Sequence, residues 1–353
     1  MTTTVQARTT DPLALFRTGT VIPAHPLALD ARRKLDERRQ RALTRYYLEA
    51  GAGGVAVAVH TTQFAIHEPR HGLLRPVLEL AATTAAEYPT PDTILVAGAC
   101  GPTRQAVAEA ELAAELGYHA ILLAPYGAGD LTEDELIQRA AAVGEVLPVI
   151  GFYLQPAVGG RILPRSFWTS LANLPSVIGI KVAPFDRYAS LDVILGVAAS
   201  ARSTEIALYT GNDDHIVGDL LSRYPVDGSR ELEFVGGLLG QWSVWTRRAV
   251  HLHRTARLAK AGDPGALREA FATELALTDA NGAIFDVAGG FHGCISGIHE
   301  VLRRQGLLAG LWCLDERESL SPGQLAEIDR VWRAYPQLRH DDFVAEHLDR
   351  WLS

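Results

Sequence analysis

The chain has few of the features that mark several protein classes. Lysine supplies only three of its 33 basic residues, and methionine occurs once among 353 residues. The formal net charge of −8 and the lack of a Lys/Arg block give no reason to expect nucleic acid or an anionic membrane surface as a partner. No run of about 18 apolar residues occurs, so the sequence predicts no membrane span.

Cysteine is also scarce. The three cysteines, Cys100, Cys294 and Cys313, are odd in number and show no paired spacing. This argues against a disulfide framework and leads us to expect a reducing, cytoplasmic location. Residues 1–17 have no long apolar core and include Asp11, so they do not predict a signal peptide.

Short apolar runs alternate with helical patterns along the first two thirds of the chain. Eight such runs, roughly 25–40 residues apart, predict a (β/α)8 barrel, an α/β fold also called a TIM barrel. A doubly wound open sheet is the competing fold, but no Gly-x-Gly-x-x-Gly motif or phosphate loop supports it. The expected strands are residues 19–23, 54–59, 93–97, 119–124, 149–153, 177–184, 206–210 and 233–239.

Only helical patterning remains in the last part of the sequence. We therefore expect residues 1–260 to form the barrel that carries the active site, and residues 261–353 to form a C-terminal helical region packed on it. His292, Cys294 and His299 of this region have metal-ligand residue types, but an apolar helical pattern surrounds them, and we interpret them as structural.

Lysine stands in one unexpected place. Lys181 interrupts a run of β-branched apolar residues that reads as a buried strand, whereas Lys34 and Lys260 lie in charged stretches. An ammonium in an apolar strand is costly unless it is paired or deprotonated, and a desolvated lysine can act as an amine nucleophile. Lys181 is therefore a candidate catalytic residue, the alternative being a strand-end lysine that meets Asp186 or reaches solvent.

Active groups of such barrels lie at the carboxyl ends of the strands. The predicted ends supply an amine, two phenols and adjacent hydroxyls, a set that suits amine catalysis on a carbonyl and lacks convincing metal-ligand spacing. We interpret Asp213 there as a helix cap. The residues at these ends are His25, His60, Thr61, Thr62, Cys100, Tyr126, Tyr153, Lys181, Asn212 and Asp213.

Several of these stretches together resemble the dihydrodipicolinate synthase/N-acetylneuraminate lyase family, the class I pyruvate-type aldolases. The likeness consists of Gly179-Ile180-Lys181, Tyr153 placed 28 residues earlier, Thr61-Thr62, Gly211-Asn212-Asp213 and Gly236-Gly237-Leu238-Leu239. It covers roughly residues 15–310, in order. The chain departs from the family where the usual Gly-Thr-Thr-Gly-Glu reads His60-Thr61-Thr62-Gln63-Phe64, and where tandem tyrosines read Tyr126-Gly127.

The resemblance implies a role for each matching residue. Lys181 matches the Schiff-base lysine, Tyr153 the phenol that relays protons, and Thr61 and Thr62 the pair that grips the 2-oxo acid carboxylate, with Thr62 also in the catalytic set. Gly211 and Leu239 match positions around the pocket, and Arg161 is similar to an arginine that binds a second carboxylate in some members. Tyr126, His60 and His25 are expected to face the same substrate.

The expected function is that of a Schiff-base-forming lyase acting on a small 2-oxo acid such as pyruvate or a hydroxy-oxo acid. A sugar-acid dehydratase using the same iminium is the alternative within the fold, and a non-catalytic barrel serving as ligand sensor or assembly subunit is the alternative outside it. We expect neither metal nor nicotinamide to be required, and the resemblance implies a homo-oligomer, a dimer or tetramer.

Overall fold

Eight parallel strands form a closed barrel, which confirms the predicted fold. The computed structural model describes residues 11–88, 93–227 and 230–353; the first ten residues of the stretch tested for a signal peptide lie outside it. The barrel strands are β1 (Val21–Pro23), β2 (Gly54–Val57), β3 (Ile94–Ala99), β4 (Ala120–Leu123), β5 (Val149–Leu154), β6 (Val177–Ala183), β7 (Ala207–Thr210) and β9 (Arg230–Leu239).

The strands pair in the order β1-β9-β7-β6-β5-β4-β3-β2. A parallel bridge between Ala24 and Ala56 joins β1 to β2 and closes the cylinder, and the His25 amide donates to the Ala56 carbonyl there at 2.8 Å. One further strand was not predicted: β8 (Arg223–Asp227) pairs antiparallel with the first half of β9 and forms a hairpin.

Helices follow the strands around the outside of the barrel and continue beyond it. α1 precedes the first strand, α2 to α9 lie between and after the strands, and α10 to α13 form the expected C-terminal helices. They are α1 (Pro12–Thr18), α2 (Glu37–Glu49), α3 (Leu74–Ala86), α4 (Thr103–Glu115), α5 (Glu133–Gly144), α6 (Arg165–Ala172), α7 (Arg187–Ala198), α8 (Ile216–Leu221), α9 (Thr246–Lys260), α10 (Pro264–Ile284), α11 (Cys294–Arg304), α12 (Gln324–Ala334) and α13 (Asp341–Trp351).

Two apolar layers follow from the alternation of side chains along each strand. One layer fills the barrel and includes Ile150, Phe152 and Leu154 of β5. The other packs between strands and helices and includes Tyr153 and Val182. Which layer a strand residue joins decides whether it can reach the barrel mouth.

Helix α1 fills the amino-terminal end of the barrel. Its Phe16 is fully buried and stacks on Tyr209 with ring centroids 4.4 Å apart, and the Tyr209 hydroxyl donates to the Phe16 carbonyl at 2.8 Å. Gly179 lies against this ring, where a Cβ atom would come within 2.8 Å of Phe16. The interior is therefore packed below Lys181 and has space only toward the carboxyl ends of the strands.

The C-terminal region packs on α8 and α9 through α10 and returns to the barrel mouth. Phe285, Phe291 and Cys294 line the cavity around Lys181, so residues beyond 260 help to form the site that the sequence placed wholly in the barrel. The boundary at residue 260 stays a prediction. Every helix in the described ranges is too short or too polar to span a bilayer.

Candidate active site

A small cavity of about 40 Å³ lies at the carboxyl ends of the barrel strands, around the side chain of Lys181. Its wall combines apolar rings with four groups that can gain or lose a proton, namely Lys181, Asp213, His60 and Cys294. The other lining residues are Ala24, Val59, Thr61, Phe152, Leu154, Gln155, Val158, Ala183, Phe185, Gly211, Gly240, Phe285 and Phe291.

Lys181 is 6% exposed, and its Nζ lies 4.3 Å from the centroid of the Phe152 ring. Burial lowers the pKa of this amine to about 8, and the negative charge of Asp213 opposes that shift. Asp186, the alternative partner considered from the sequence, instead caps α7 by accepting from the Ala189 amide at 2.8 Å. The structure thus turns Lys181 into the mouth of the barrel as an amine that loses its proton readily.

Asp213 is the acidic group of this cavity. Its Oδ1 accepts a hydrogen bond from the Gln241 amide at 3.0 Å, and burial raises the pKa of the carboxyl to about 7 against the opposing effects of that bond and of Lys181. The interpretation as a helix cap is wrong, because the N-cap of α8 is His215 and Asp213 points to the cavity.

His60 lies where the barrel cavity meets the surface. Burial, together with the positive charge of Lys181, lowers the pKa of this imidazole to about 4, so it is neutral near pH 7. Its ring contacts Phe64 with centroids 5.7 Å apart. A neutral imidazole next to an amine nucleophile can accept a proton.

Tyr153 does not reach this cavity, although its spacing from Lys181 in the sequence led us to expect it there. In the pairing of β5 with β6, Phe152 lies beside Lys181, and Tyr153 lies beside Val182 on the outer face. The Tyr153 ring packs on Trp168 of α6 with centroids 4.8 Å apart. The expectation that its phenol relays protons therefore has no geometric support.

Of the two adjacent threonines, one lines the cavity. Thr61 does so, opposite Gly240. Thr62 is fully buried behind the wall, where its hydroxyl donates to the His25 carbonyl at 2.6 Å and accepts from the Val59 amide at 3.2 Å. Thr62 consequently holds the turn that presents Thr61 and is not placed to touch a substrate.

His25 is also turned away from the expected substrate. Its Nδ1 bonds to the Pro26 carbonyl at 2.8 Å and its Nε2 to the Thr44 hydroxyl of α2 at 2.9 Å. Burial lowers the pKa of His25 to about 4. The imidazole is a neutral, fully buried group that joins the first strand to α2. It does not line the cavity, so the expected contact between His25 and the substrate has no geometric support.

Arg161 and Leu239, which were also expected to contact the substrate, do not line the cavity. The Arg161 guanidinium donates to the Leu131 carbonyl at 2.6 Å and does not line the cavity. Leu239 is buried in the layer between strands and helices, and the following residue, Gly240, forms the wall instead. By contrast, Gly211 lines the cavity as expected.

Gly211 leaves the space that the lysine side chain occupies. A Cβ atom at this position would lie 2.7 Å from Lys181 Cε and 2.7 Å from Ala183 Cβ. We predict that Gly211→Ala displaces the amine and slows its covalent reaction with pyruvate at least ten-fold, measured as the initial rate of reductive trapping. Gly282→Ala in α10, where a Cβ meets nothing within 4 Å, is the control and should leave the rate unchanged. Equal rates in both variants would contradict the prediction.

A larger cleft of about 600 Å³ adjoins the inner cavity, and both are lined by His60, Val158, Phe291 and Cys294. Tyr126 lies in this cleft, 38% exposed and stacked on Phe64 with centroids 4.3 Å apart. The expected role of Tyr126 is thus compatible only with an outer part of a substrate. Acidic and basic side chains and two histidines line much of the rest of the cleft: Glu68, Arg70, His71, His292, Asp315, Arg317 and Glu318.

Only weak signals in the sequence point to the cavity residues that were missed or misinterpreted. Asp213 follows β7, the strand next to the one that carries Lys181. Its position just before a predicted helix favoured the interpretation as a helix cap. Phe152 and Gly240 are each one residue from an expected site residue, and only strand pairing reveals which of the two neighbours faces inward. Cys294 comes from a distant segment, and no local pattern connects it to the barrel mouth.

Fold and site together define a (β/α)8 barrel with a buried, easily deprotonated amine at the carboxyl end of its sixth strand. The sequence model of the Dihydrodipicolinate synthetase family matches residues 17–223, more than half of the chain, and the chain belongs to this family. The 4-hydroxy-tetrahydrodipicolinate synthase of Halorhodospira halophila is 29% identical in an alignment of 180 positions that covers 48% of this chain and 56% of that protein. The match therefore spans little more than half the length of that relative.

Solved structures show the same fold at low identity. A prophage protein of the dihydrodipicolinic acid synthase family from E. coli K12, in complex with pyruvate, is similar with a TM-score of 0.72 and 18% identity over 91% of this chain and 98% of that one. N-acetylneuraminate lyase from Fusobacterium nucleatum, complexed with pyruvate, is similar with a TM-score of 0.70 and 16% identity over 91% of this chain and 98% of that one. Dihydrodipicolinate synthase from Oceanobacillus iheyensis is similar with a TM-score of 0.70 and 16% identity over 93% of this chain and 100% of that one.

Proposed function

We propose that the protein is a lyase that binds a small 2-oxo acid covalently through Lys181. The observation that carries the proposal is the amine itself, which is buried at the barrel mouth over Phe152 with its pKa lowered to about 8. Membership of the family and its pyruvate-complexed structural neighbours support this reaction class. Borohydride tests the covalent step, because it reduces an iminium to a stable amine that adds to the protein mass.

The first step needs a free amine and a proton donor. The neutral Lys181 nitrogen attacks the ketone carbon, and the carbonyl oxygen takes up protons and leaves as water, so that an iminium remains. Asp213, whose raised pKa keeps part of its population protonated near pH 7, is the group that we assign to supply a proton to that oxygen.

The second step moves a proton at the neighbouring carbon. The iminium withdraws electrons from the carbon–hydrogen or carbon–carbon bond next to it, and the bond that breaks leaves an enamine. A base must accept the proton, and we assign this role to the neutral imidazole of His60 because no phenol lines the cavity among the described residues. Thr61 is the hydroxyl available to the substrate carboxylate.

The cleft beyond the cavity favours a sugar-acid dehydratase as the second candidate function. Its charged lining and volume of about 600 Å³ suit a polyhydroxylated chain attached to the 2-oxo acid, as in a sugar acid. Dehydration of such an acid uses the same iminium as aldol cleavage. Product masses from a panel of hydroxy-oxo acids separate the two reactions, since cleavage yields two fragments and dehydration yields one product that has lost water.

The pH dependence of trapping tests the environment of the amine. An ordinary lysine has a pKa of 10.5, so its free-amine fraction keeps rising up to that pH, whereas the fraction for Lys181 levels off above its pKa of about 8. We expect the rate of cyanoborohydride trapping with pyruvate to rise from pH 6 and reach a plateau between pH 8 and 9. In Asp213→Asn the plateau should move to lower pH, because the carboxylate that raises the amine's pKa is gone. A rate that still rises through pH 10 would contradict the prediction.

The assembly and location inferred from the sequence stay predictions. A homo-oligomer is expected from the resemblance, and sedimentation equilibrium of the purified chain tests it. The cytoplasmic location rests on the cysteine pattern alone.

A further inference from the structure

A second group of reactive side chains lies outside the barrel cavity. It consists of His67, Cys100 and Glu109, which we call the His67 cluster; all three are less than 9% exposed. His67 ends the turn after β2, Cys100 directly follows β3, and Glu109 lies on α4. One ligand atom from each residue lies within 4.8 Å of the other two, and none of the three lines the Lys181 cavity.

We propose that the His67 cluster is a site for a divalent transition-metal ion such as Zn²⁺. The thiolate, imidazole and carboxylate that the cluster offers are the three ligand types that zinc accepts. In a tetrahedral site with bond lengths of about 2.0–2.3 Å, neighbouring ligand atoms lie roughly 3.2–3.8 Å apart. Small rotations of the three side chains would bring the present arrangement to those separations.

The orientation of His67 is the second observation. Its Nε2 bonds to the Ala58 carbonyl at 2.9 Å, and a bond of this kind fixes the ring of a metal-binding histidine. The other nitrogen, Nδ1, is buried, lies 3.0 Å from Glu109 Oε1 without the alignment of a hydrogen bond, and points at the cluster. A metal ion bound here would take this nitrogen over from its contact with Glu109 and keep both residues as ligands.

The neighbouring groups complete the coordination and the charge balance. The Gln105 amide nitrogen lies 2.8 Å from Glu109 Oε1 and 3.7 Å from Cys100 Sγ, so rotation of the amide would offer its oxygen as a fourth ligand. The buried Arg139 is a nearby cation, bound to the Gly101 and Ala124 carbonyls. Its positive charge would offset part of the negative charge that a metal-bound thiolate and the Glu109 carboxylate bring to this group.

Co²⁺ provides the test, because cobalt bound by a thiolate absorbs in the near ultraviolet and tetrahedral cobalt absorbs strongly in the visible. Titration of the chelator-treated, untagged protein should give a thiolate band that saturates at one equivalent, and one equivalent of Zn²⁺ should remove it. Cys100→Ser should abolish the band, and Glu109→Gln should weaken binding at least ten-fold. Cys313→Ser is the control and should keep the band, although Cys313 Sγ also lies near a histidine, 3.9 Å from His299 Nδ1.

Two results would overturn the proposal. One is the absence of a thiolate band, which would leave the cluster as an ion pair beside a thiol. The other is a band that persists in Cys100→Ser. Circular dichroism and pyruvate trapping of each variant establish that it is folded, so a lost band reports on the ligand and not on the fold.

Discussion

Borohydride reduction in the presence of pyruvate should add the mass of one reduced pyruvyl group to the intact protein, and Lys181→Ala should abolish the addition completely. The expected effect is large because the proposal assigns this amine as the covalent partner and neither of the other two lysines lines the cavity. The chain has only two other lysines, Lys34 and Lys260. Lys260 is held in an ion pair with Glu233 at 2.8 Å.

The small number of lysines makes the control sharp. The double variant Lys34→Arg/Lys260→Arg should take up the adduct at the same rate as the native protein, and peptide mapping should place it on Lys181. Lys181→Arg keeps the positive charge, but its guanidinium cannot lose a proton to become a nucleophile, so it should also give no adduct. A native protein that gives no adduct would favour the ligand-sensor alternative over the lyase.

Exchange of the pyruvate methyl hydrogens with deuterium from solvent should fall by about 10²- to 10⁴-fold in His60→Phe, the usual range for loss of a general acid–base group. Formation of the enamine requires a base at that carbon, and His60 is the neutral imidazole of the cavity. Phenylalanine keeps an aromatic ring next to Phe64 but cannot accept a proton. Proton NMR in D2O measures the exchange without knowledge of the second substrate.

Tyr153→Phe is the matched comparison for this experiment. It removes a phenol that faces Trp168 outside the cavity, so exchange should stay within two-fold of the native rate. Reductive trapping in both variants shows whether the iminium still forms, which separates loss of the base from loss of the covalent step. Slow exchange in Tyr153→Phe together with normal exchange in His60→Phe would reverse the assignment.

Local pattern was sufficient for most of the fold. Eight apolar runs between helical segments predicted the barrel, and the observed strands overlap all of them. The hairpin strand β8 was not predicted, because its sequence, Arg223–Asp227, has neither an apolar run nor a clear alternation. It forms because β9 extends beyond the barrel and offers an edge to pair with.

The site was harder to predict than the fold because of strand register. The pairing of β5 with β6 shifts by one residue between Val149 and Ile150. A one-residue shift reverses the faces of all side chains that follow it, so Phe152 shares a face with Lys181 and Tyr153 turns outward. Spacing along the sequence contains no information about such a shift.

The sequence by itself determined the barrel, the family and the position of a lysine inside an apolar strand, because apolar periodicity, the matching motifs and the scarcity of lysine are properties of the chain alone. Tertiary structure decided which groups surround that amine. Asp213, His60 and Cys294 come from three segments far apart in the chain, and they meet only because the strand ends converge and the C-terminal region returns to the mouth. Strand pairing and long-range packing set these contacts, and neither is encoded in a short stretch of residues.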